Sequence, residues 1–455
     1  MAPSAVDPKP KPAAFFLQSG IGLSGIGLIF LGVVGSVTFV ISGLLMEEAP
    51  SYMVLFLVPF LMFVIIGLVL VPIGIWRVRR KRRRGLTTRP IGIVIDFAQR
   101  THRRRAVLAL LLLAVTSVAG FTLFTQSFQM MESNTFCGQL CHTVMTPEWT
   151  AYQYSSHARV KCVECHIGSG ADWFLRSKLS GIRQMYAVST GTFPRPIPTP
   201  IRNLRPARET CEQCHWPKKF AEFKESVRTY YRSDKANTPQ RIRILIKTGG
   251  EESPLMKGTG IHYHMLIANK VEFIARDRKR QDIAWVRITH KNGPRVEYHD
   301  QENPLTPAER KRLEIRIMDC VDCHNRPSHQ FPSPMHTVNQ ALAVGRIDPG
   351  LPHIKVEAVR ALDSEYPTTQ AAMAGIEKKL RDYYREKFPE VLREQANALN
   401  RSIAGVQEIY RRTIFPEMKA NWAAYPDNIG HRDSPGCFRC HNYEMESEDG
   451  DTIFV

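Results

Sequence analysis

No cysteine in this 455-residue chain is left over for a structural disulfide. All ten fall into five pairs, each followed at once by histidine: Cys137/Cys141-His142, Cys162/Cys165-His166, Cys211/Cys214-His215, Cys320/Cys323-His324 and Cys437/Cys440-His441. Charge is missing from three long stretches, residues 15–45, 52–76 and 106–125, and none of the three holds a histidine. The first absence excludes a disulfide scaffold. The last excludes a b-type haem gripped by histidines on membrane helices. No internal repeat is present beyond the Cys–His motif itself.

Four of the motifs read C-x-x-C-H, the signature of covalent c-type haem attachment; the first, CGQLCH, carries one extra residue between the thiols. Each thiol adds to a haem vinyl group, and the adjacent histidine reaches the iron from below. A zinc ribbon or a redox dithiol does not need histidine directly after the second cysteine of every pair. The expected cofactors are therefore five c-type haems. The proximal ligands are His142, His166, His215, His324 and His441.

Covalent haem attachment takes place outside the cytoplasm, so the motifs must be exported. Each uncharged stretch is long enough to cross a bilayer about 30 Å thick as a helix. Between the second and third, residues 77–105 hold twelve Lys and Arg against the single acid Asp96. The positive-inside rule puts this loop, and with it the N-terminus, in the cytoplasm. Everything after about residue 126 is then periplasmic, the side on which the haems must lie. The expected location is a bacterial inner membrane, with three spans. The first apolar run is too long for a cleaved signal peptide.

The net charge of +18 does not imply a nucleic-acid partner. Most of it sits in the basic loop, where it marks topology and an anionic-lipid contact. From Phe128 onward there are 47 basic and 39 acidic residues, and two propionates per haem bring that region close to neutral.

The predicted fold is mainly α with extensive loops: N-terminal transmembrane helices, then a periplasmic multihaem domain carrying a small β-rich insert. Residues 1–127 form the anchor. Residues 128–235 hold haems 1–3, 236–315 the insert, and 316–455 haems 4–5 with a helical hairpin. The proline-rich stretch 193–206 cannot be helical. Alternation in RIRILIK (241–247), KVEFIAR (270–276), AWVRITH (284–290) and RVEYH (295–299) predicts antiparallel strands. Residues 368–412 read as helical, with Ile376, Leu380, Tyr384, Val391 and Leu399 on the apolar positions.

A six-coordinate haem needs a second axial ligand. By context the distal candidates are His157, just before the second motif; His329 and His336, after the fourth; His431, before the fifth; and His262 with His264 in GIHYHM, which share a face if that segment is extended. His290, His299 and His353 stand out less. Met145, three residues beyond His142, is a candidate for the first iron, where a thioether would raise the potential.

FCGQLCHTVM, HARVKCVECHIG and RETCEQCHWP, in that order behind an anchor helix, resemble the NapC/NirT family of membrane-anchored multihaem cytochromes c, from about Ala106 to Pro217. The resemblance implies oxidation of quinol, with menaquinol expected, at the periplasmic face and electron transfer to a periplasmic reductase or cytochrome. It also implies a proton-accepting lysine on the helix after the second motif. Lys178 is that lysine, with Gln184 and Asp172 as hydrogen-bonding neighbours. The chain departs from the compact members in its three spans, the extra motif residue, a methionine three rather than two residues after the histidine, the insert and the fifth motif. These additions make it similar to larger inner-membrane cytochromes that feed external acceptors. Two other readings stay open. One is a relay subunit of a larger respiratory complex without its own quinol site. The other is a terminal reductase of a small anion, which would need an open iron position.

Overall fold

The computed structural model describes residues 19–45, 54–85, 99–140, 142–168, 171–201, 205–216, 223–249, 260–265, 269–290, 293–431 and 433–453. The chain divides into two compact units, residues 1–133 with 169–175, and residues 134–168 with 176–455.

The first unit holds three helices long and apolar enough to cross a membrane: α1 (Gly20–Leu45), α2 (Val54–Arg83) and α3 (Arg100–Met131). Lipid tails are as apolar as leucine, so such helices associate by close packing at small residues. α1 and α2 do so. A Cβ on Gly67 would stand 2.5 Å from the Gly25 carbonyl oxygen, and one on Gly32 2.5 Å from that of Phe60. Leu108, Leu112, Val115 and Leu123 of α3 stay exposed, as lipid-facing side chains would.

The basic stretch is not all loop. α2 continues through Arg83, and α3 already begins at Arg100, so only residues 84–99 connect them, and 86–98 of these lie outside the described residues. Arg and Lys are good helix formers, and a basic run suits the negative C-terminal end of α2. The predicted span residues 15–18 and 52–53 also lie outside the described residues.

In the second unit short helices accompany the first three motifs, α4 (His142–Gln153), α5 (Cys162–His166) and α7 (Ala207–Cys211), and the longer α6 (Ala171–Ser189, whose first turn belongs to the first unit) follows the second. The proline-rich stretch contains no helix among its described residues. A hairpin of β1 (Phe223–Tyr231) and β2 (Pro239–Lys247) follows. Next come β3 (Asn269–Ala275), β4 (Ile283–His290), β5 (Arg295–Asp300), α8 (Pro307–Arg312), β6 (Arg316–Ile317) and α9 (Cys320–Cys323).

All four alternating segments are strands, but the β structure does not stop at residues 236 and 315. β1 precedes that range. The second sheet, antiparallel in the order β6-β3-β4-β5-β7, takes its two edges from β6 and from β7 (Met445–Ser447) near the C-terminus. Very short edge strands are a common way to close a sheet. Here they also tie the sheet to the motifs, because β6 ends three residues before Cys320 and β7 starts four after His441.

The remaining helices, α10 (Pro334–Ala343), α11 (Ile354–Leu362), α12 (Thr369–Lys387), α13 (Pro389–Glu394) and α14 (Ala396–Thr413), build the largest core. Ala372, Ile376, Leu380 and Tyr384 recur every fourth residue on α12 and are 0% exposed. Val391 and Leu399 join the same cluster. This α-helical layer contains no Cys–His motif and acts as a scaffold.

Candidate functional site

The motifs share one backbone turn. The amide of His215 donates to the Cys211 carbonyl at 2.8 Å, that of His324 to Cys320 at 2.8 Å, and that of His441 to Cys437 at 3.0 Å. One helical turn sets residues i and i+3 on one face and brings i+4 beneath them, as two thioethers and an iron ligand require.

The first motif differs. Its extra residue lies in a π-helical turn, residues Phe136–Leu140, the form a helix takes when one residue is inserted. Gly138 in this turn is buried under Trp149, and a Cβ there would fall 2.2 Å from the indole ring. Gly138→Val is therefore expected to displace the turn and abolish attachment at the first motif alone. Intact-mass measurement should read one haem fewer than in the unaltered protein. Cys141 and the His142 side chain lie outside the described residues.

Four motif histidines face another histidine. Ring centres are 6.0 Å apart for His215 and His157, 6.2 Å for His166 and His329, 6.4 Å for His324 and His262, and 6.0 Å for His441 and His264. Two imidazoles held trans by one iron, each ligating nitrogen about 2 Å from the metal, have ring centres about 6 Å apart. The pairs thus leave room for an iron and for little else. Among the described residues no group of three or more His, Cys, Asp and Glu is gathered as a metal cluster. Pairs suffice for haem, because the porphyrin supplies the other four ligands.

The second nitrogen of each facing ring is also accounted for. Nδ1 of His157 bonds the Pro327 carbonyl at 3.2 Å, His329 that of Glu148 at 2.9 Å, His262 that of Thr248 at 2.9 Å and His264 that of Ile261 at 3.2 Å. A carbonyl can only accept, so Nδ1 donates in each pair and Nε2 is the nitrogen turned to other use. This is how metal-binding histidines are generally held. Burial pushes the His329 pKa down to about 4 and also lowers that of His264, which favours the neutral, ligating form.

The histidines that face one another do not follow sequence order. His157 precedes the second motif but faces the third. His329 follows the fourth but faces the second. His262 and His264 are not on an extended strand; they sit in a turn leading into a short 3-10 helix, Tyr263–Met265, and face different motifs. His336, near the start of α10, lines a cavity with Arg228, Ser333 and Trp422. His431 stacks on Phe438, inside the fifth motif, at 4.2 Å. His290 lies 3.4 Å from the Tyr263 hydroxyl, His299 is in β5, and His353 packs on Phe388. Met145 lies on α4 one turn beyond His142 and on the same face.

Thiols of successive motifs are neighbours. Cys162 hydrogen-bonds Cys137, which together with burial pushes its ionisation up. Cys165 lies within electrostatic reach of Cys211 and Cys214. Cys211 shares a hydrogen bond with Cys320, and Cys323 and Cys440 both feel Cys437.

The variable residues inside the motifs do structural work that sequence reading missed. Asp322, in CVDCH, is 1% exposed and is held by Arg280 at 2.5 Å and Arg316 at 2.8 Å. Arg439, in CFRCH, donates to the carbonyls of Asp322 at 2.9 Å and Arg280 at 2.7 Å, clamping the fifth motif to the fourth. Asp319 caps α9 and accepts from the Ala207 amide at 2.9 Å, which ties the third motif to the fourth. Charged residues at these x positions were the available signal.

Asp172, Lys178 and Gln184 all lie on α6 at steps of six residues. At about 100° per residue they point in three directions about 120° apart. The helix does not bring them together, and Gln184 bonds Ser180 at 3.1 Å instead.

Comparison with known proteins agrees with this chemistry. The model of the NapC/NirT cytochrome c family, N-terminal region, matches residues 100–196. The chain is 45% identical over 458 residues to the cytochrome c-type protein ImcH of Geobacter sulfurreducens, covering 97% of this chain and 87% of that protein. It is 28% identical over 105 residues to the cytochrome c-type protein NrfH of Wolinella succinogenes, covering 22% of this chain and 59% of that one. No solved structure gives a significant match. With its three apolar helices, its Cys–His motifs and a near full-length relative, this chain belongs to the NapC/NirT family of membrane-anchored, electron-transferring c-type cytochromes.

Proposed function

We propose that this protein is a pentahaem quinol dehydrogenase of the bacterial inner membrane. It takes electrons from menaquinol at the periplasmic face and delivers them one at a time to a periplasmic cytochrome or reductase. The observation that carries the reading is the set of four histidine pairs at iron-spanning distance. When bound, the haem irons supply the one-electron redox chemistry. The ten motif cysteines fix the haems covalently. His166, His215, His324 and His441, paired with His329, His157, His262 and His264, would hold four of the irons. His142, with Met145 as the candidate second ligand, would serve the first iron.

The neighbouring thiols support a row in sequence order, from the motif nearest the anchor to the one at the C-terminus. Such a row favours transport over local catalysis. Two imidazoles at each of four motifs leave no open position there for a small anion, which argues against a terminal reductase. The basic connection between α2 and α3 supports a cytoplasmic N-terminus and a periplasmic haem domain. Residues 1–127 are then the anchor, 128–235 and 316–455 bear haems, and 236–315 contribute most of the sheet.

Lys178 is the proposed proton acceptor beside the first haem, and it acts without Asp172 and Gln184 gathered round it. Rapid mixing of the purified protein with a reduced menaquinone analogue, following the c-type α-band, tests this. Lys178→Ala should slow haem reduction by at least about tenfold while dithionite still reduces every haem. If the unaltered protein is not reduced by quinol, it is a relay subunit that draws electrons from a neighbour in a larger complex.

A further inference from the structure

α6 wears its apolar side outward. Leu175, Leu179, Ile182 and Tyr186 recur at i, i+4, i+7 and i+11, forming one stripe, and are 59%, 61%, 66% and 69% exposed. Helices of the scaffold layer do the opposite: the equivalent stripe of α12 is wholly buried. Exposed apolar stripes of this size mark an interaction surface.

Three observations say what covers it. The first turn of α6 belongs to the same compact unit as the three membrane helices. Within that unit Phe174 packs on Phe128, close to the end of α3, with ring centres 5.7 Å apart. The helix therefore starts where a membrane span ends. Arg176 and Arg183, seven residues apart, border the stripe on one side, and Lys178 borders it on the other. An apolar stripe between basic margins is the pattern of a helix lying in the plane of a membrane, where long basic side chains reach up to the headgroups.

We propose that α6 is an in-plane membrane-surface helix. Leu175, Leu179, Ile182 and Tyr186 enter the acyl-chain boundary of an anionic phospholipid bilayer, and Arg176 and Arg183 meet its headgroup phosphates. This does not depend on quinol being the electron donor. It gives the haem-bearing region a lipid contact of its own, next to the segment that leaves the second motif.

The full-length haem-loaded protein in lipid nanodiscs provides the test. The probe is phosphatidylglycerol with a photoactivatable diazirine near the top of one acyl chain; peptides are mapped by mass spectrometry after illumination. Adducts are expected on the α6 stripe as well as on α1, α2 and α3. A phosphatidylcholine probe should give at least about threefold fewer adducts on α6. The double substitution Leu179→Asn and Ile182→Asn should reduce α6 adducts at least about fivefold, with unchanged haem number and unchanged labelling of the spans. Adducts confined to the three spans in the unaltered protein overturn the proposal. Equal labelling by the two probes overturns the phosphate contact.

Discussion

Replacing His329 by alanine is expected to leave all five haems attached while turning one of them from low-spin to high-spin. Attachment at the second motif depends on the Cys162 and Cys165 thioethers, which the substitution does not touch. An iron held by His166 would lose the imidazole that faces it among the described residues, His329, with ring centres 6.2 Å apart. The surroundings cannot refill the position easily. The His329 ring is pinned by the Glu148 carbonyl, and its own carbonyl accepts from Arg326 Nε at 2.7 Å. The Arg326 guanidinium is in turn stacked over Tyr425 at 4.1 Å and Phe331 at 4.9 Å. Electron paramagnetic resonance should show a high-spin signal worth about one haem in five, and cyanide should bind there. His329→Met should restore the low-spin state at a higher potential, because a thioether favours the reduced iron. His353→Ala, on the scaffold, should change neither spectrum. An unaltered low-spin signal in His329→Ala would remove His329 from the ligand set.

The second large effect concerns order along the wire. Cys162→Ala with Cys165→Ala removes the second haem, and Cys437→Ala with Cys440→Ala removes the fifth. Both proteins should hold four haems that dithionite reduces fully. With quinol they should diverge. Loss of the fifth leaves a continuous row, so all four remaining haems are reduced at the original rate. Loss of the second leaves the first haem separated from the third, since the thiols of the third motif neighbour Cys165 and Cys320. Electron tunnelling falls steeply with distance, so only about a quarter of the α-band should appear on the rapid-mixing timescale. Rapid reduction of all four haems in that variant would mean that the first and third haems are direct neighbours and that the row is wrong.

The attachment sites were legible because their chemistry is local. Five or six consecutive residues carry both thiols and the proximal histidine, and one helical turn suffices to present them. The spans were legible for a similar reason: bilayer thickness sets a run length that composition reveals directly. Alternation announced β2, β3, β4 and β5, and the period of four on α12 announced the buried stripe from Ile376 to Tyr384. Edge strands β6 and β7 are two and three residues long, too short to carry a period.

Other features belong to the tertiary structure. A distal ligand must reach an iron held by a remote segment, so nearness in sequence is no guide. His157 crosses to His215, and His329 crosses back to His166. His262 and His264, two residues apart, part company because a tight turn rather than a strand carries them. The clamp that Arg280, Arg316 and Arg439 form around buried Asp322 appears in sequence only as ordinary surface-type residues. By itself the sequence determined which haem chemistry this chain carries and that it is tied to a membrane, since bond-forming residues and apolar run lengths are properties of contiguous chain. Which imidazoles face each other, and in what order the motifs neighbour one another, was decided only when distant segments packed, because axial ligation and thiol contact are set by distances through space.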